Sequence, residues 1–406
     1  MTNSNSTRRD PSTEAKLPRR DWILLPLISL LTICFLAAST ESFSKRMFRE
    51  SKTSVANGCL VKNDPLGGIR GIPNTVCWEK TAEGLLSEYR FNNCGHRASV
   101  ECGPKPAGTY RIVLTGGSVP LGAAVPREET FAGLLPSDIS KRTGRNVEVY
   151  NESMFMQSPG LVESRFNAVL AAQPDLILWT VTPFDIQSTA PGVDIQPLPG
   201  FLGKTRARLK AAMANHSFPG AIRDILYTVH DLLDTTSSGL LLEHFLYESQ
   251  SQYVKAYLKN VDDDSGFLKS EFSPRWQSCL RNFTKVDADI EAQAGVAGVP
   301  LVVVLIPNRA QAAMISMGEW QVGHDPFKLS TEVRSIVVSH GGTYIDILPD
   351  YRGIPNPEQG YFPKDGHPNP EGHATISRLI ARELTGGAVP ALKVESGLQA
   401  ILKKGE

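Results

Sequence analysis

A serine and a histidine–aspartate pair, far apart in the sequence, have side chains that could do chemistry together. Ser118 follows an apolar run and two glycines, and His367 lies two residues after Asp365 in the segment DGHPN. A serine hydroxyl is a poor nucleophile until a base takes its proton, and the base needs a third group to hold it. Each segment alone is also compatible with an ordinary turn or helix cap. If the fold brings the two segments together, they predict a serine esterase or acyltransferase.

The elements that must position these residues alternate between strand-like and helical patterns. Five apolar runs rich in Val, Ile and Leu are typical of strands: 111–115, 147–150, 176–181, 299–306 and 343–347. Helical patterns follow or separate them, near 128–142, 161–172, 310, 331 and 371–384. Continuous apolar strands separated by helices predict a parallel sheet that is buried on both faces. The predicted fold class is therefore α/β, a doubly wound, mostly parallel five-stranded sheet with its ligands at the carboxyl ends of the strands.

The main domain is expected over 106–388, followed by a C-terminal tail at 389–406. A long insertion, 189–282, separates the third strand from the fourth and exceeds the loops of about 2–6 residues in a simple crossover. It holds helical candidates near 221–233 and 240–258, and a third near 274–294 leads out of it. A helical cap over the strand ends is the economical interpretation, and a solvent-side decoration without a catalytic role is the alternative.

The N-terminal region has the pattern of a membrane helix. Residues 22–38 form an apolar run with few polar interruptions, after a basic tail over 1–20. This length approaches that of a spanning helix, roughly 17–25 residues, which predicts a cytoplasmic tail at 1–20 and a transmembrane anchor at 21–39. A cleaved signal peptide ending at Ala37-Ala38-Ser39 is the alternative. In both cases we expect the rest of the chain on the periplasmic or extracellular side of the cell membrane.

Residues 40–105 are rich in Gly, Pro, Asn and charged residues, and we expect them to form a stalk and a disulfide-stapled lead-in. Four cysteines cluster there, which suits an oxidising compartment. The favoured pairs are Cys94 with Cys102 and Cys59 with Cys77. Ordinary buried thiols are the alternative. Cys279 is then the expected free thiol of the domain, and the spacing does not favour a zinc site.

Charge and composition exclude some classes of partner. Lys plus Arg number 42 and Asp plus Glu number 42, so no net field would draw nucleic acid, and no nucleic-acid partner is expected. A serine–histidine mechanism needs neither a metal nor an organic cofactor, and none is predicted. The sequence leaves the oligomeric state open.

Four segments together resemble the SGNH/GDSL hydrolase family. Gly116-Gly117-Ser118-Val119-Pro120-Leu121-Gly122 is similar to the first block, Gly-Asp-Ser-x-x-x-Gly, with Gly117 in place of Asp. Residues 147–154 are similar to the second block, in which Asn151 is kept and Ser153 replaces the usual Gly. In the third block, Gly-x-Asn-Asp has become Thr182-Pro183-Phe184-Asp185.

The fourth block is Asp365-Gly366-His367-Pro368-Asn369, in which Asp lies two residues before His. That spacing resembles polysaccharide O-acetyl esterases and transferases of the family. The lead-in segments 89–92, 95–97 and 106–112 also resemble bacterial members. The whole resemblance covers roughly residues 91–385, apart from the insertion.

The resemblance implies the strand order 2-1-3-4-5, with Ser118 as nucleophile, His367 as base and Asp365 as its orienting group. It also implies an oxyanion hole made by the N–H groups of Ser118 and Ser153 and by an Asn side chain at the position of Phe184. Loss of that amide donor typically costs about 3 kcal/mol, or roughly 10²–10³ in rate. The residues expected around the pocket are Gly117, Asn151, Thr182, Phe184 and Asp185.

Two hypotheses of different class follow from these residues. The first is an exported, membrane-anchored serine esterase or O-acyltransferase that acts on acyl esters, acetyl esters above all, of carbohydrate or lipid. The second is a binding or scaffold module in envelope polysaccharide processing that keeps the fold and has weak or no catalysis, because Phe184 replaces the family Asn.

Overall fold

The computed structural model describes residues 20–52, 54–62, 64–189, 236–260 and 262–394. Nine strands lie in this part of the chain: β1 Leu60–Val61, β2 Arg70–Gly71, β3 Val76–Glu79, β4 Ser87–Arg90, β5 Thr109–Thr115, β6 Asn146–Asn151, β7 Leu176–Val181, β8 Leu301–Leu305 and β9 Thr343–Ile345. The last five form one sheet, in the order β6-β5-β7-β8-β9. Every neighbouring pair in that sheet is parallel. The predicted five-stranded parallel sheet and its strand order 2-1-3-4-5 are therefore confirmed.

The sheet forms because its strands are apolar on both sides. Every residue of β5, β7 and β8 is buried, as expected for strands covered by helices on both faces. The register pairs Val113 with Ile177 and Leu178 with Val302, so aliphatic side chains meet across the three central strands. These strands end together, and their carboxyl ends open towards the segments that follow β5 and β7.

The described helices occur in the same chain order as the sequence patterns. They are α1 Asp21–Met47, α2 Val55–Gly58, α3 Ser118–Leu121, α4 Phe131–Thr143, α5 Pro159–Ser164, α6 Phe166–Ala171, α7 Pro183–Gln187, α8 Ser237–Leu246, α9 Gln250–Asn260, α10 Pro274–Ala297, α11 Arg309–Met317, α12 Lys328–Ser339 and α13 Pro370–Glu383. Helix α13 packs against α4, and α10 packs against α5, α6 and α12. These two groups of helices cover the sheet.

Helix α1 is long and apolar enough to cross a membrane, and its exposed face carries bulky residues such as Trp22 and Phe35. A signal sequence near the N-terminus would pass the same test of length and composition. The helix continues to Met47, eight residues beyond the predicted end of the anchor, because residues 40–47 add two further turns. Its C-terminal part contacts α8: Glu41 accepts hydrogen bonds from the Ser237 and Ser238 N–H groups.

The lead-in differs from the expected stalk because it packs against the domain. Strands β1 and β2 pair antiparallel, as do β3 and β4. The structure contains the disulfides Cys59–Cys77 and Cys94–Cys102, which are the pairs favoured from the sequence. Tyr89 and Phe91 are buried in a small core of this segment. The Tyr89 hydroxyl accepts a hydrogen bond from the Ala124 N–H at 2.9 Å, so the lead-in touches the segment just after α3.

The part of the insertion that the structure describes is helical, as its sequence pattern predicts. The helical candidate at 221–233 lies outside the described residues. The candidate at 240–258 is two helices, α8 and α9. The third candidate, α10, belongs to the domain core, since Trp276, Cys279 and Phe283 are fully buried on it. Among the described cysteines outside α1, Cys279 is the one that forms no disulfide. The core also extends past residue 388, because Leu392 and Val394 are buried.

Candidate active site

Ser118 lies where β5 turns sharply into α3. Gly116 has a φ of +149°, and a Cβ at this position would lie 2.4 Å from the carbonyl oxygen of Thr180, so the turn requires glycine. Ser118 is the first residue of α3. Its N–H has no hydrogen-bond partner within the described ranges, as is usual in the first turn of a helix. The turn therefore presents the hydroxyl and the N–H of Ser118 together at the carboxyl end of the sheet.

Ser118, His367 and Asp365 form a continuous hydrogen-bonded relay. The distance from Ser118 Oγ to His367 Nε2 is 2.7 Å, and that from His367 Nδ1 to Asp365 Oδ1 is 2.7 Å. The same carboxylate oxygen accepts from the His367 backbone N–H at 3.1 Å. Because the carboxylate accepts a hydrogen bond from Nδ1–H, the proton of the neutral ring stays on Nδ1 and Nε2 faces the hydroxyl as an acceptor. The fold thus unites side chains from two segments 249 residues apart.

The loop that carries His367 is fixed at both ends. The Phe362 N–H donates to the His367 carbonyl and the Gly366 N–H donates to the Phe362 carbonyl, each at 2.9 Å. Gly366 adopts a φ of +80°, a left-handed conformation that glycine adopts freely. Asn369 then caps α13, since its side chain accepts from the Glu371 and Gly372 N–H groups. The imidazole therefore stands on a closed turn directly before a capped helix.

The carboxyl group of Asp365 is held in its ionised form. Burial acts to raise its pKa, but the hydrogen bond from the His367 ring, the charge of that ring and the His367 backbone N–H together lower the pKa below its ordinary value. An ionised carboxylate keeps the imidazole in one tautomer and stabilises the imidazolium that forms when the base takes a proton.

The predicted oxyanion hole is present in part. The Ser118 N–H points from the helix start, but the Ser153 N–H donates to the Asn151 side-chain oxygen at 3.1 Å, and Ser153 is fully buried. Asn151 in turn donates to the carbonyl of Pro120 at 2.9 Å, so it holds α3. The Ser153 N–H is therefore engaged by the neighbouring Asn151 amide oxygen, and its role as an oxyanion donor stays a prediction.

The third block starts α7 instead of offering an amide to the site. Thr182 is the N-cap: its hydroxyl accepts from the Asp185 N–H, and the Asp185 carboxylate accepts from the Thr182 N–H at 2.8 Å. Burial raises the pKa of Asp185 to about 6, against the hydrogen bonds from Thr182 and the charge of His367. The other carboxylate oxygen fills the space beside Gly117, where a Cβ would lie 2.6 Å from it. Phe184, 60% exposed, stands where the sequence resemblance implies an Asn.

The relay lies at the floor of a cleft of about 720 Å³. Helices α8 and α9 of the insertion contribute to its wall, so the cap interpretation agrees with the structure. The cleft is rich in aromatic side chains: Phe184, Tyr247, Tyr253, Tyr257, Phe267 and Tyr361. Of the residues expected around the pocket, Thr182 and Phe184 line it, whereas Gly117, Asn151 and Asp185 support it from beneath.

Several side chains that hold the site together are not recognisable from the sequence. Arg309 is buried against the Tyr253 ring, 3.9 Å from its centroid. Its guanidinium donates to the carbonyls of Pro363 and Tyr247, which ties the histidine loop to the end of α8. No motif marks Arg309 in the sequence. Glu83 and Arg97, in the lead-in, also make hydrogen bonds with backbone groups near the site. Arg97 lies in the segment 95–97, which only the family resemblance marks in the sequence.

Within the described ranges, no group of three or more His, Cys, Asp or Glu side chains is arranged to hold a metal ion. Two of the charged residues that line the cleft, Lys364 and Glu243, form an ion pair. The arrangement therefore offers a nucleophile, a base and an orienting carboxylate.

No protein-family model matches the chain, and a search of curated proteins found no significant match. Solved structures that are similar to it include a lipase/acylhydrolase from Enterococcus faecalis, with 14% identity, a TM-score of 0.34 and coverage of 68% of this chain and 96% of that one. A GDSL-like lipase from Parabacteroides merdae has 10% identity, a TM-score of 0.37 and coverage of 70% and 96%. The esterase EstA from Pseudoalteromonas sp. has 10% identity, a TM-score of 0.33 and coverage of 66% and 93%. These proteins are named as lipases or esterases, the class that the sequence motifs resemble.

Proposed function

We propose that the protein is a serine esterase or O-acyltransferase of the SGNH/GDSL type that forms an acyl-enzyme on Ser118. The observation that carries this proposal is the relay from Ser118 Oγ through His367 to Asp365, with both hydrogen bonds at 2.7 Å. A serine at a strand–helix turn, opposite a cleft and hydrogen-bonded to an oriented imidazole, has the geometry of an activated nucleophile.

In the first half-reaction, His367 Nε2 takes the Ser118 hydroxyl proton while Oγ attacks the ester carbonyl carbon. The Ser118 N–H donates to the oxyanion of the tetrahedral intermediate. The imidazolium, stabilised by Asp365, then gives its proton to the leaving alcohol oxygen as the C–O bond breaks. In the second half-reaction His367 takes a proton from water or from a sugar hydroxyl, whose oxygen attacks the acyl carbon. Ser118 regains its proton and the acid or the new ester leaves.

Catalysis is expected to be slower than in an enzyme with a complete oxyanion hole. Phe184 brings no amide donor, and Asn151 occupies the Ser153 N–H. Removal of one such donor typically lowers kcat by about 10²–10³. A scaffold or binding role is the second candidate function. The observation that favours it is that Phe184 brings no amide donor to the site.

The substrate we propose is an acyl ester, acetyl above all, of carbohydrate or lipid, outside the cytoplasm and near the membrane to which α1 anchors the chain. The aromatic wall of the cleft supports a substrate with an apolar or ring-shaped face. Hydrolysis and acyl transfer differ in whether water or a second hydroxyl reaches the acyl-enzyme.

The experiment that tests the proposal is labelling with a fluorophosphonate, followed by peptide mass mapping. We expect a stoichiometric adduct on Ser118 that is absent from Ser118→Ala and is lost or much slowed in His367→Ala. Turnover of a short acyl ester should follow the same pattern. A folded protein that takes no label and turns over no ester would contradict the esterase and favour the scaffold role.

A further inference from the structure

We infer that the disulfide-bonded lead-in is part of the catalytic apparatus, because Glu83 and Arg97 position the two halves of the relay. This inference rests on the proposed function. Glu83 fixes the loop that carries Asp365 and His367, and Arg97 fixes the short helix that begins with Ser118. Both are positioning residues that act through backbone groups of the site.

The Glu83 side chain is 2% exposed and joins three groups. One carboxylate oxygen accepts from the backbone N–H groups of Lys364 and Asp365, at 2.9 and 2.8 Å. The other oxygen lies 2.7 Å from His244 Nδ1 on α8. Hydrogen bonds to an ionised group are stronger than neutral ones. A single carboxylate from the lead-in thus holds the backbone of the orienting residue and links it to the wall of the cleft.

Arg97 is buried, 1% exposed, and packs over the Tyr89 ring with 3.9 Å between the guanidinium carbon and the ring centroid. It donates to four backbone carbonyl oxygens, those of Glu88, Leu121, Gly122 and Val125. Leu121 is the last residue of α3, whose first residue is Ser118. A cation at the carboxyl end of a helix also faces its negative pole. The Arg97 guanidinium therefore fixes the carboxyl end of the short helix that begins with Ser118.

The contacts of Arg97 are better suited to positioning backbone segments than to stabilising the fold. A buried cation that meets carbonyl oxygens, with no carboxylate hydrogen-bonded to it, stabilises the fold inefficiently because its desolvation is costly. The planar guanidinium, whose N–H groups point in fixed directions, instead holds several backbone segments in one arrangement. Arg97 also lies inside the loop closed by the Cys94–Cys102 disulfide, which restricts the backbone that carries it.

The test compares variants of the full-length chain in detergent, by kcat and KM for p-nitrophenyl acetate and by the rate of fluorophosphonate labelling. We expect Glu83→Ala and Arg97→Ala to lower kcat by about 10- to 100-fold with KM changed by less than about threefold. Glu83→Gln should recover activity to within about threefold of the wild type, since its amide oxygen still accepts both N–H groups. Arg90→Ala is the matched control, because Arg90 makes an exposed ion pair with Glu88 on the same strand.

Glu83→Asp and Arg97→Lys test the same contacts with the charge kept, in case the alanine variants do not fold. The shorter carboxylate withdraws from the loop, and an ammonium group cannot reach four carbonyls in one plane, so both should lower kcat by at least about fivefold. Wild-type kcat in these folded variants, or a lowered Tm with kcat unchanged, would overturn the inference.

A separate readout distinguishes failure of this inference from failure of the proposed function. Amide hydrogen exchange at residues 364–367 should be faster in Glu83→Ala than in the wild type whether or not the protein is an esterase. Wild-type protein that neither takes label nor turns over ester would overturn the proposed function. Unchanged exchange at that loop in the variant would overturn the inference.

Discussion

The packing of the Asp185 carboxylate against Gly117 allows a sharp test of how the nucleophile is placed. A Cβ at position 117 would lie 2.6 Å from a carboxylate oxygen, whereas ordinary contacts begin near 3.4 Å. Gly117→Ala must therefore displace one of the two groups by about 0.8 Å.

The displacement should fall on the nucleophile. Asp185 cannot retreat easily, because its second oxygen is held by the Thr182 N–H and hydroxyl, each at 2.8 Å. Gly117 instead lies directly before Ser118, so the added methyl group shifts the reacting oxygen relative to His367. A misplacement of about 1 Å costs roughly 10² in rate, so we expect Gly117→Ala to lower kcat by about 30- to 100-fold.

The assay is turnover of p-nitrophenyl acetate together with the rate of fluorophosphonate labelling at Ser118. Gly160→Ala is the matched control, since a Cβ there meets no heavy atom within 4 Å, and its kcat should stay within about twofold of the wild type. Wild-type kcat and labelling rate in a folded Gly117→Ala protein would refute the reasoning, because the site would then accommodate the methyl group without moving Ser118.

Three further outcomes follow from the site and its surroundings. Phe184→Asn adds an amide donor and should raise kcat by about 10-fold or more if the amide reaches the oxyanion; an unchanged kcat would show that it does not. Asp365→Asn should lower kcat by about 10³–10⁴ with Tm nearly kept, since an amide favours the wrong imidazole tautomer, and a loss below about tenfold would contradict the orienting role. Burial lowers the pKa of His373 to about 3, below the ordinary value of about 6.5. The neutral His373 ring therefore contributes fully to the free energy of unfolding above a pH of about 6.5. This contribution is lost as the pH falls towards 3. Relative to His373→Asn, the wild-type free energy of unfolding should therefore drop by about 1.4 kcal/mol per pH unit between pH 6 and 4. Urea titrations of the two proteins at each pH measure this difference. The opposite titration of buried carboxyls such as Asp185 is common to both proteins and cancels. Parallel plots of unfolding free energy against pH for the two proteins would contradict the prediction.

The sheet was predictable because its determinants are local. Each central strand is a continuous run of Val, Ile and Leu residues, and such runs mark strands that are buried on both faces. Ser118 and His367 were predictable for a related reason: each lies in a glycine-rich turn next to a strand or helix whose pattern is plain. The strand order came from the family resemblance, and the structure has the same order.

The supporting contacts could not be predicted, because they join segments without periodicity. Glu83 lies in an irregular stretch of the lead-in, and its backbone partners Lys364 and Asp365 lie more than 280 positions away. The hydrogen bond at the Ser153 N–H could not be predicted for a similar reason. Whether its N–H is free depends on the side-chain rotamer of Asn151, two residues earlier, and no sequence pattern specifies that rotamer.

The separation of 249 residues between Ser118 and His367 sets the order in which reactivity can arise while the chain is made. Strand β5 lies between β6 and β7 in the sheet, so the strand that precedes the serine finds both its neighbours early in synthesis. The imidazole is made 249 residues after the serine, and its loop also needs Glu83 from the lead-in. A nascent chain therefore lacks the proposed base until His367 has been made and its loop has closed.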